Sequence, residues 1–399
     1  MKESKLTELI RGLSQTEFRK FGEFINSPFH NKSQMITAFY HLITRNYDNL
    51  DSNTISVKNV ALRLFEGEEN SDQNARTLIS NFTRIIERFI VYEELDKYPV
   101  KLKIFLLQSL MSRGLSKNYE VVSKEINEEL EQEFNKEIEY YSNLFSLKSR
   151  QIDYQWNDLD LNLDKSYKEI MEVADYSFIV SKLKTLNSFL SRKFEIHPNT
   201  ELNFWGVNEI IQFIETNISK IHEEHPLIFS EYKILMMKLR PKEERHFRDL
   251  EKHVYKNIRK YSTSEIENVY YSLTNYCVNN IAAGEYRFSK DLFNIHNVFE
   301  KNGFYAEKKD IHYSDFLSVI ISSLGIKEPG FAEYFHEKYK SNIAIEFKRD
   351  AVSLSSALIL FSKGKYNEAL ISLNKVAYKY AYFYLKSKET LIKIYYEQK

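Results

Sequence analysis

Residues 76–89 read RTLISNFTRIIERF, and this stretch decides the fold class. Its apolar side chains recur every three or four residues, a spacing that places Leu78, Phe82 and Phe89 on one side of an α-helix. Arg84 and Arg88 fall on the other side. The stretch therefore predicts an amphipathic helix, and the same spacing recurs along most of the chain.

The composition extends this prediction to the whole chain. Its 399 residues include only 10 Gly and 6 Pro, against 28 Tyr, 28 Phe and 2 Trp. Glycine and proline interrupt helices, so their scarcity leaves long stretches that no local signal breaks. No segment sustains the alternation of apolar and polar residues that a strand needs. We expect an all-α protein whose helices pack through Tyr and Phe.

Charge and cysteine content restrict the classes of function. Lys plus Arg and Asp plus Glu both total 56, so no net field attracts nucleic acid or an anionic membrane. Cys277 is the only cysteine, which excludes an intrachain disulfide and a cysteine-based zinc cluster. Residues 1–18 mix charges into their apolar positions, unlike a secretory signal. Residues 352–361 are too short to span a bilayer. We expect a cytoplasmic protein that does not enter the membrane.

Capping signals predict where several helices begin. Ser14 with Glu17 and Ser262 with Glu265 fit the capping box, in which each side chain bonds the backbone of the other residue. Residues 31–34 offer a further capping box. A long helix is expected to begin near Leu115 and to run through residues 120–139. Its predicted inner face carries Val121, Val122, Ile126, Leu130, Phe134 and Ile138.

Pro99 is the predicted domain boundary. A chain of 399 residues exceeds the size at which a single compact core stops growing. The predicted helices are short before Pro99 and longer after it. We therefore expect an N-terminal helical domain over residues 1–98 and a helical-repeat domain over residues 99–399.

Two similar signatures lie in the C-terminal third: AAGEY at 282–286 and SKGKYNEAL at 362–370. In each, a helix ends in glycine and an aromatic residue follows two positions later. Glycine permits the reversal between antiparallel helices, and tyrosine is expected to fill the wedge between them. Over residues 264–399 these signatures resemble the tetratricopeptide repeat.

The resemblance carries over to particular residues. The glycine and aromatic positions of the repeat match Gly284 with Tyr286 and Gly364 with Tyr366; Ala369 matches the small residue that follows, where the first signature has Ser289. The resemblance also implies small side chains at the helix crossings, and Cys277 and Ala357 stand there. The usual tryptophan and closing proline are absent, and the two turns lie 80 residues apart.

This resemblance implies an α-solenoid of antiparallel helix pairs with a groove for a peptide or a partner helix. We therefore expect a non-enzymatic interaction scaffold or adaptor. No glycine-rich phosphate loop and no Gly-x-Ser-x-Gly motif is present, and no cofactor is expected. The predicted partner-binding residues are Tyr270, Tyr271, Asn275, Asn279, Tyr286, Tyr366 and Tyr382.

A DNA-binding transcriptional regulator is the alternative. Residues 61–94 are similar to the helical part of winged-helix regulators that precede helical-repeat domains. In this alternative residues 56–97 read DNA, and Arg76, Arg84 and Arg88 contact phosphates. No β-wing is evident after Tyr92, so the alternative is not favoured.

A second resemblance involves the N-terminus. Residues 13–32 include Ser27-Pro28-Phe29 and Asn31-Lys32, and they resemble the start of a group of uncharacterised bacterial helical proteins. Abundant Asn, Lys, Ile and Tyr are also typical of AT-rich bacterial genomes. Neither observation indicates an activity.

Two groups of residues have some features of metal sites. One has the oxygen-bearing side chains of a calcium loop but Leu163 where that loop needs glycine. The other contains histidines, two of them three residues apart before Pro226, which is not the zinc-protease spacing. We expect a polar loop and a helix end instead, with no metal. The two groups are Asp158, Asp160, Asn162, Ser166 and Glu169, and His222, His225, His246 and His253.

Overall fold

The all-α prediction is confirmed. The structure is a computed structural model that describes residues 4–45, 47, 55–134, 136–156, 163–194, 204–377 and 379–398. In these ranges the chain forms twenty α-helices, a 3-10 turn at Ile258–Lys260 and no β-strand. Across the same ranges, no helix has both the length and the apolar content that crossing a bilayer requires.

The chain divides into two compact units. Unit 1 comprises Met1–Glu129 and Ser146–Asp160, and unit 2 comprises Leu130–Phe145 and Leu161–Lys399. The division at Pro99 stays a prediction; Pro99 is the first residue of a helix within unit 1.

Unit 1 is built from helices of 7 to 25 residues around an aromatic core. Phe21, Phe39 and Phe82 are fully buried, with ring centroids 5.4 Å apart for Phe21–Phe82 and 4.9 Å for Phe39–Phe82. The helices are α1 (Lys5–Arg11), α2 (Gln15–Asn26), α3 (Gln34–Thr44), α4 (Val57–Leu64), α5 (Ser71–Leu95), α6 (Pro99–Ser112), α7 (Ser116–Glu131) and the second half of α8 (Ile138–Trp156).

Local signals predicted two of these helices well. Helix α2 begins after Ser14, whose hydroxyl accepts a hydrogen bond from Glu17 N while the Glu17 carboxylate accepts one from Ser14 N. Helix α5 contains the amphipathic stretch, and Leu78, Phe82 and Phe89 on its apolar side are buried, as predicted.

The capping box expected at residues 31–34 does not form. Ser33 precedes α3 and makes no side-chain capping bond. The side-chain oxygen Oδ1 of Asn31 accepts a hydrogen bond from Ser33 N at 2.8 Å. The side-chain nitrogen Nδ2 of Asn31 donates a hydrogen bond to Ile25 O at 3.2 Å. Asn31 therefore closes the turn before the helix and is not available to cap it.

The single helix expected over residues 120–139 is also wrong. Helix α7 ends at Glu131 and α8 begins at Ile138, because Lys136 adopts a φ of 50° that no right-handed helix accommodates. Of the side chains expected on the inner face, Ile126 and Leu130 are buried as predicted, whereas Val121 and Ile138 are exposed. The other buried side chains of α7, Tyr119 and Ser123, lie on the same side of the helix as Ile126 and Leu130 and were not predicted.

Unit 2 contains the remaining helices. After the first half of α8 these are α9 (Leu163–Phe194), α10 (Val207–Thr216), α11 (Ile218–Glu224), α12 (Pro226–Leu239), α13 (Arg245–Asn257), α14 (Thr263–Ala282), α15 (Phe288–Lys301), α16 (Tyr313–Gly325), α17 (Pro329–Tyr339), α18 (Ile345–Ser362), α19 (Tyr366–Leu373) and α20 (Ala381–Glu397). As predicted, α14 begins after Ser262, and the Glu265 carboxylate accepts a hydrogen bond from Ser262 N.

Successive helices of unit 2 pack in pairs. Helices α12 and α13, α14 and α15, α16 and α17, and α18 and α19 contact each other. The first helices of neighbouring pairs also meet, since α12 contacts α14, α16 contacts α18, and α18 contacts α20. All residues of α12 from Pro226 to Met237 are buried, and α9 packs along it.

The two glycine turns differ in a way that the sequence did not predict. Gly284 and Gly364 both have a positive φ, 96° and 72°, which favours glycine. However, Tyr286 is 75% exposed, and Phe288 is the buried aromatic side chain of the first turn. The reason is the length of the connecting turn. The turn between α14 and α15 is two residues longer than the turn between α18 and α19. Tyr286 therefore lies on the turn and does not fill the wedge between the helices.

Candidate functional site

The exposed side of α14 brings together three of the predicted partner-binding residues. Tyr271, Asn275 and Asn279 lie four residues apart, so they form one stripe along the helix, and all three are exposed. Val278 is exposed beside them. We call this set of four residues the α14 stripe. It combines two amides, a phenol and an apolar side chain.

An ion-pair network fixes one end of the α14 stripe. The Tyr271 hydroxyl donates to Asp315 Oδ2 at 2.7 Å, and Lys308 Nζ lies 2.9 Å from Glu267 Oε1. Lys308 Nζ also lies 5.3 Å from the centroid of the Tyr271 ring. Burial, and the hydrogen bond to Asp315, raise the pKa of Tyr271. Both effects favour the protonated phenol, and the Tyr271 side chain is partly exposed to solvent.

The two asparagines supply the hydrogen-bonding capacity of the α14 stripe. Each amide has two N–H donors and a carbonyl acceptor. Asn275 and Asn279 lie one helical turn apart, which separates them by about 6 Å along the axis. This arrangement can pair with the backbone of a bound chain, whose carbonyl and N–H groups need both kinds of partner.

Tyr270, which the sequence placed in the same set, belongs to the core. Its side chain is 1% exposed. Its hydroxyl lies 2.7 Å from the Tyr305 hydroxyl and 3.0 Å from His296 Nδ1. Tyr270 and Tyr271 are neighbours on one helix but lie 100° apart around its axis, so one faces inward and the other outward.

The remaining predicted residues lie on other elements. Tyr286 is on the turn after α14 and is exposed. Tyr366 begins α19 and is half-buried, with its ring centroid 5.8 Å from that of Phe361. Tyr382 is on α20, 5.6 Å from Tyr313 between ring centroids. The structure therefore unites Tyr271, Asn275 and Asn279 but not the whole set of seven.

A buried polar cluster behind α14 was not found from the sequence. Asn187 of α9 donates to Glu231 Oε2 at 2.7 Å, and Asn268 of α14 donates to Glu231 Oε1 at 3.0 Å. Burial raises the pKa of Glu231. Burial and the neighbouring Glu137 carboxylate likewise raise the pKa of Glu265 at the start of α14. These contacts join α9 and α12 to α14 and so hold the α14 stripe in place.

The candidate metal residues do not form a metal site in the described part of the chain. There, no group of three or more His, Cys, Asp or Glu is arranged to hold a metal ion. Of the calcium-loop residues, Asp158, Asp160 and Asn162 lie outside the described residues, and Ser166 and Glu169 lie within α9.

The four histidines have separate surroundings. His225 Nδ1 lies 2.6 Å from the Tyr141 hydroxyl, and burial lowers the pKa of His225 to about 3. The rings of His222 and His253 are 4.9 Å apart, and His246 Nε2 lies 3.2 Å from Glu243 Oε2. Desolvation of three of these rings favours their neutral form: His225, His246 and His253.

The three arginines of the DNA-binding alternative are exposed on α5. Arg76, Arg84 and Arg88 are exposed, and the Arg84 guanidinium donates a hydrogen bond to the side-chain oxygen Oδ1 of Asn81. Helix α5 continues to Leu95 and α6 follows at Pro99, so the chain between them has no room for a β-wing.

Comparisons of the chain with protein-family models, with curated proteins and with solved structures found no match in any of the three. No relative therefore contributes a function or a binding partner. The assignment of a function depends on the exposed side chains and on the packing of unit 2.

Proposed function

We propose that the protein is a non-enzymatic interaction scaffold that binds a peptide or a partner helix on unit 2. The observation that best supports this is the α14 stripe: Tyr271, Asn275, Val278 and Asn279 are exposed together on one helix. A site of this composition offers hydrogen bonds and apolar contact but no nucleophile and no general base. We place the scaffold in the cytoplasm, as its composition predicts.

The proposal includes an α-solenoid of the tetratricopeptide-like kind. The pairwise contacts from α12 to α19, and the contacts between the first helices of neighbouring pairs, support it. In such an array each pair stacks on the next, and the first helices present a continuous surface. The α14 stripe belongs to that surface.

An extended peptide fits the α14 stripe better than a helix does. The two asparagines repeat at about 6 Å along α14. Alternate residues of an extended chain repeat at about 6.6 Å, close enough for each amide to meet one peptide unit. The backbone N–H and C=O groups of a partner helix are already hydrogen-bonded within that helix. Few of them are therefore left to pair with the side-chain amides of Asn275 and Asn279. Tyr271 and Val278 would contact the peptide's side chains.

Selection from a phage-displayed random peptide library tests the proposal. We expect the full-length protein to enrich a family of related peptides. Their affinity should fall about tenfold or more for the double variant Asn275→Ala/Asn279→Ala, because each hydrogen bond between uncharged groups contributes about 1 kcal/mol. The matched control is Asn294→Ala/Asn297→Ala on α15, which should bind as the wild type does. No enrichment, or equal affinity in all three proteins, would contradict the proposal.

The DNA-binding alternative has one supporting observation, the exposure of Arg76, Arg84 and Arg88 on α5. It requires binding to random-sequence duplex DNA that weakens steeply with salt, because each neutralised phosphate releases counterions. Replacing the three arginines with alanine would then flatten the salt dependence. Fluorescence anisotropy at low and high salt distinguishes the two functions, since the scaffold predicts no such binding.

A further inference from the structure

Two glutamates meet at the start of α14. Glu265 lies in the first turn of α14, and Glu137 is the last residue before α8. The Ser262 hydroxyl donates to Glu137 Oε1 at 2.8 Å, and Ser262 N donates to Glu265 Oε2 at 3.4 Å. One serine therefore holds both carboxylates near each other, and all three residues belong to unit 2.

The two carboxylates share a cation. Lys184 of α9 places Nζ 3.9 Å from Glu137 Oε2 and 3.9 Å from Glu265 Oε1. The single charge of this ammonium cannot neutralise two carboxylates at once. Like charges held close together disfavour the ionisation of one of them, so the pair is better satisfied when it carries a proton.

One oxygen of Glu265 lacks a hydrogen-bond partner. Glu265 is 3% exposed, and its Oε1 atom accepts no hydrogen bond within the described part of the chain. An ionised carboxylate oxygen in this position is costly, whereas a protonated one becomes a donor and no longer repels Glu137. Burial and the Glu137 charge raise the pKa of Glu265 to about 7.

The groups that face Glu265 from neighbouring elements reinforce this effect. Lys184 supplies a positive charge from α9, but it also attracts Glu231 of α12, which is itself buried. Before α8, burial and the Glu137 charge raise the pKa of Glu133. The negative charge gathered around Lys184 thus exceeds what one ammonium can balance.

Glu137 belongs to a stretch of chain with two attachments to the start of α14. We call the described residues between α7 and α8 (132–134, 136 and 137) the linking segment. Its first attachment is aromatic: the ring centroid of Phe134 lies 6.2 Å from that of Tyr261. The Tyr261 hydroxyl lies 2.8 Å from Ser230 Oγ, and burial raises the pKa of Tyr261, so this attachment carries no charge near neutral pH. The second attachment is Glu137, and it depends on charge.

We infer that Glu137 and Glu265 form a proton-sensitive latch, which fastens the linking segment to the start of α14 when the pair holds a proton and releases it when the proton is lost. The sign follows from the pKa of Glu265, which rises from a usual value of 4.5 to about 7. The latch therefore contributes its full stability below about pH 4.5 and loses it as the pH rises through about 7. The inference is independent of peptide binding, because neither glutamate belongs to the α14 stripe.

Hydrogen–deuterium exchange of the full-length protein at about pH 5.5 and about pH 8.5 tests the latch, with exchange times scaled for the intrinsic rate at each pH. We expect the protection of peptides covering residues 130–141 to fall about tenfold or more at the higher pH. Glu265→Gln carries an uncharged amide at the same position and should keep the high protection at both pH values. The matched control is Glu131→Gln, at an exposed position at the end of α7, which should show the wild-type fall.

Lys184→Met tests whether the two carboxylates compete for one cation. Without the ammonium the pair should hold its proton more tightly, so the pH at which protection is lost should rise by about one unit or more. Circular dichroism checks that each variant keeps its helices. Wild-type protection that does not change with pH, a Glu265→Gln protein that loses protection as the wild type does, or a midpoint that falls in Lys184→Met would overturn the inference.

Discussion

Arg248 of α13 and Asp291 of α15 form a two-point ion pair, with Nη1 2.7 Å from Oδ1 and Nη2 2.8 Å from Oδ2. Their helices belong to successive pairs, so this contact joins the pair α12–α13 to the pair α14–α15. The same guanidinium donates to Glu244 and Glu251. Hydrogen bonds to these carboxylates, above all to Asp291, raise the pKa of Arg248.

Removing the charge of Asp291 should weaken the junction between the two pairs. We expect Asp291→Asn to lower the free energy of unfolding by about 1 kcal/mol, a value reduced for the partial exposure of Arg248. Arg248→Lys should have a similar effect because lysine cannot donate two parallel hydrogen bonds. Urea titration measures both. Glu337→Gln, which breaks an exposed ion pair with Lys340, is the control and should change little.

His296 should make the protein sensitive to acid. It is fully buried, with Nδ1 3.1 Å from the Tyr305 hydroxyl and Nε2 3.2 Å from Ser318 Oγ, and burial lowers the pKa of His296 to about 3. In the unfolded chain the imidazole has a pKa of about 6.5. Between these values only the unfolded chain binds the proton, so stability is complete above about pH 6.5 and is lost as the pH falls toward 3.

Urea titrations at several pH values measure this loss. We expect His296→Gln to be less stable than the wild type at pH 7 but to lose less stability on acidification, by up to about 1.4 kcal/mol per pH unit. Some acid sensitivity should remain, since burial also lowers the pKa of His225 and His253. His41→Gln, at an exposed position, should keep the wild-type slope. Equal slopes in all three proteins would contradict a buried neutral His296.

The turn glycine Gly364 should tolerate alanine poorly for conformational reasons alone. Its φ is 72°, and a Cβ placed there would meet no atom within 4 Å. We therefore expect Gly364→Ala to lower the free energy of unfolding by about 1 kcal/mol, because alanine is strained at this positive φ. Gly330, near the start of α17, has equally open space but no positive φ. Gly330→Ala should be neutral or stabilising, because alanine favours the helix. Thermal unfolding of the two variants separates strain from crowding.

Cys277 should tolerate only small side chains. It is fully buried on α14, and burial raises the pKa of its thiol, so we expect it to react slowly with thiol reagents in the native protein. Cys277→Ala should change the free energy of unfolding little. Cys277→Leu should lower it by about 1–3 kcal/mol, because the larger side chain does not fit the packed core. Val278→Leu, at the exposed neighbouring position, should change stability little. Urea titration provides the comparison, and equal effects of the two leucine variants would contradict close packing at Cys277.

Local signals in the sequence predicted where some of the helices begin. The capping boxes at Ser14 and Ser262 are local signals, and they correctly located the starts of α2 and α14. The scarcity of glycine and proline correctly predicted a helical chain. These signals work because capping and helix propensity depend on a few neighbouring residues.

Which side of each helix is buried depends on how the helices pack in the folded chain. Tyr270 and Tyr271 are adjacent residues of the same type. The Tyr270 side chain is buried, and its hydroxyl contacts His296 and Tyr305, whereas the Tyr271 side chain is exposed. Phe288 rather than Tyr286 fills its turn because α15 begins two residues later than the signature predicts. Apolar residues recur on more than one side of these aromatic-rich helices, so spacing alone cannot select a side. Packing against other helices selects it, and that depends on residues distant in the chain.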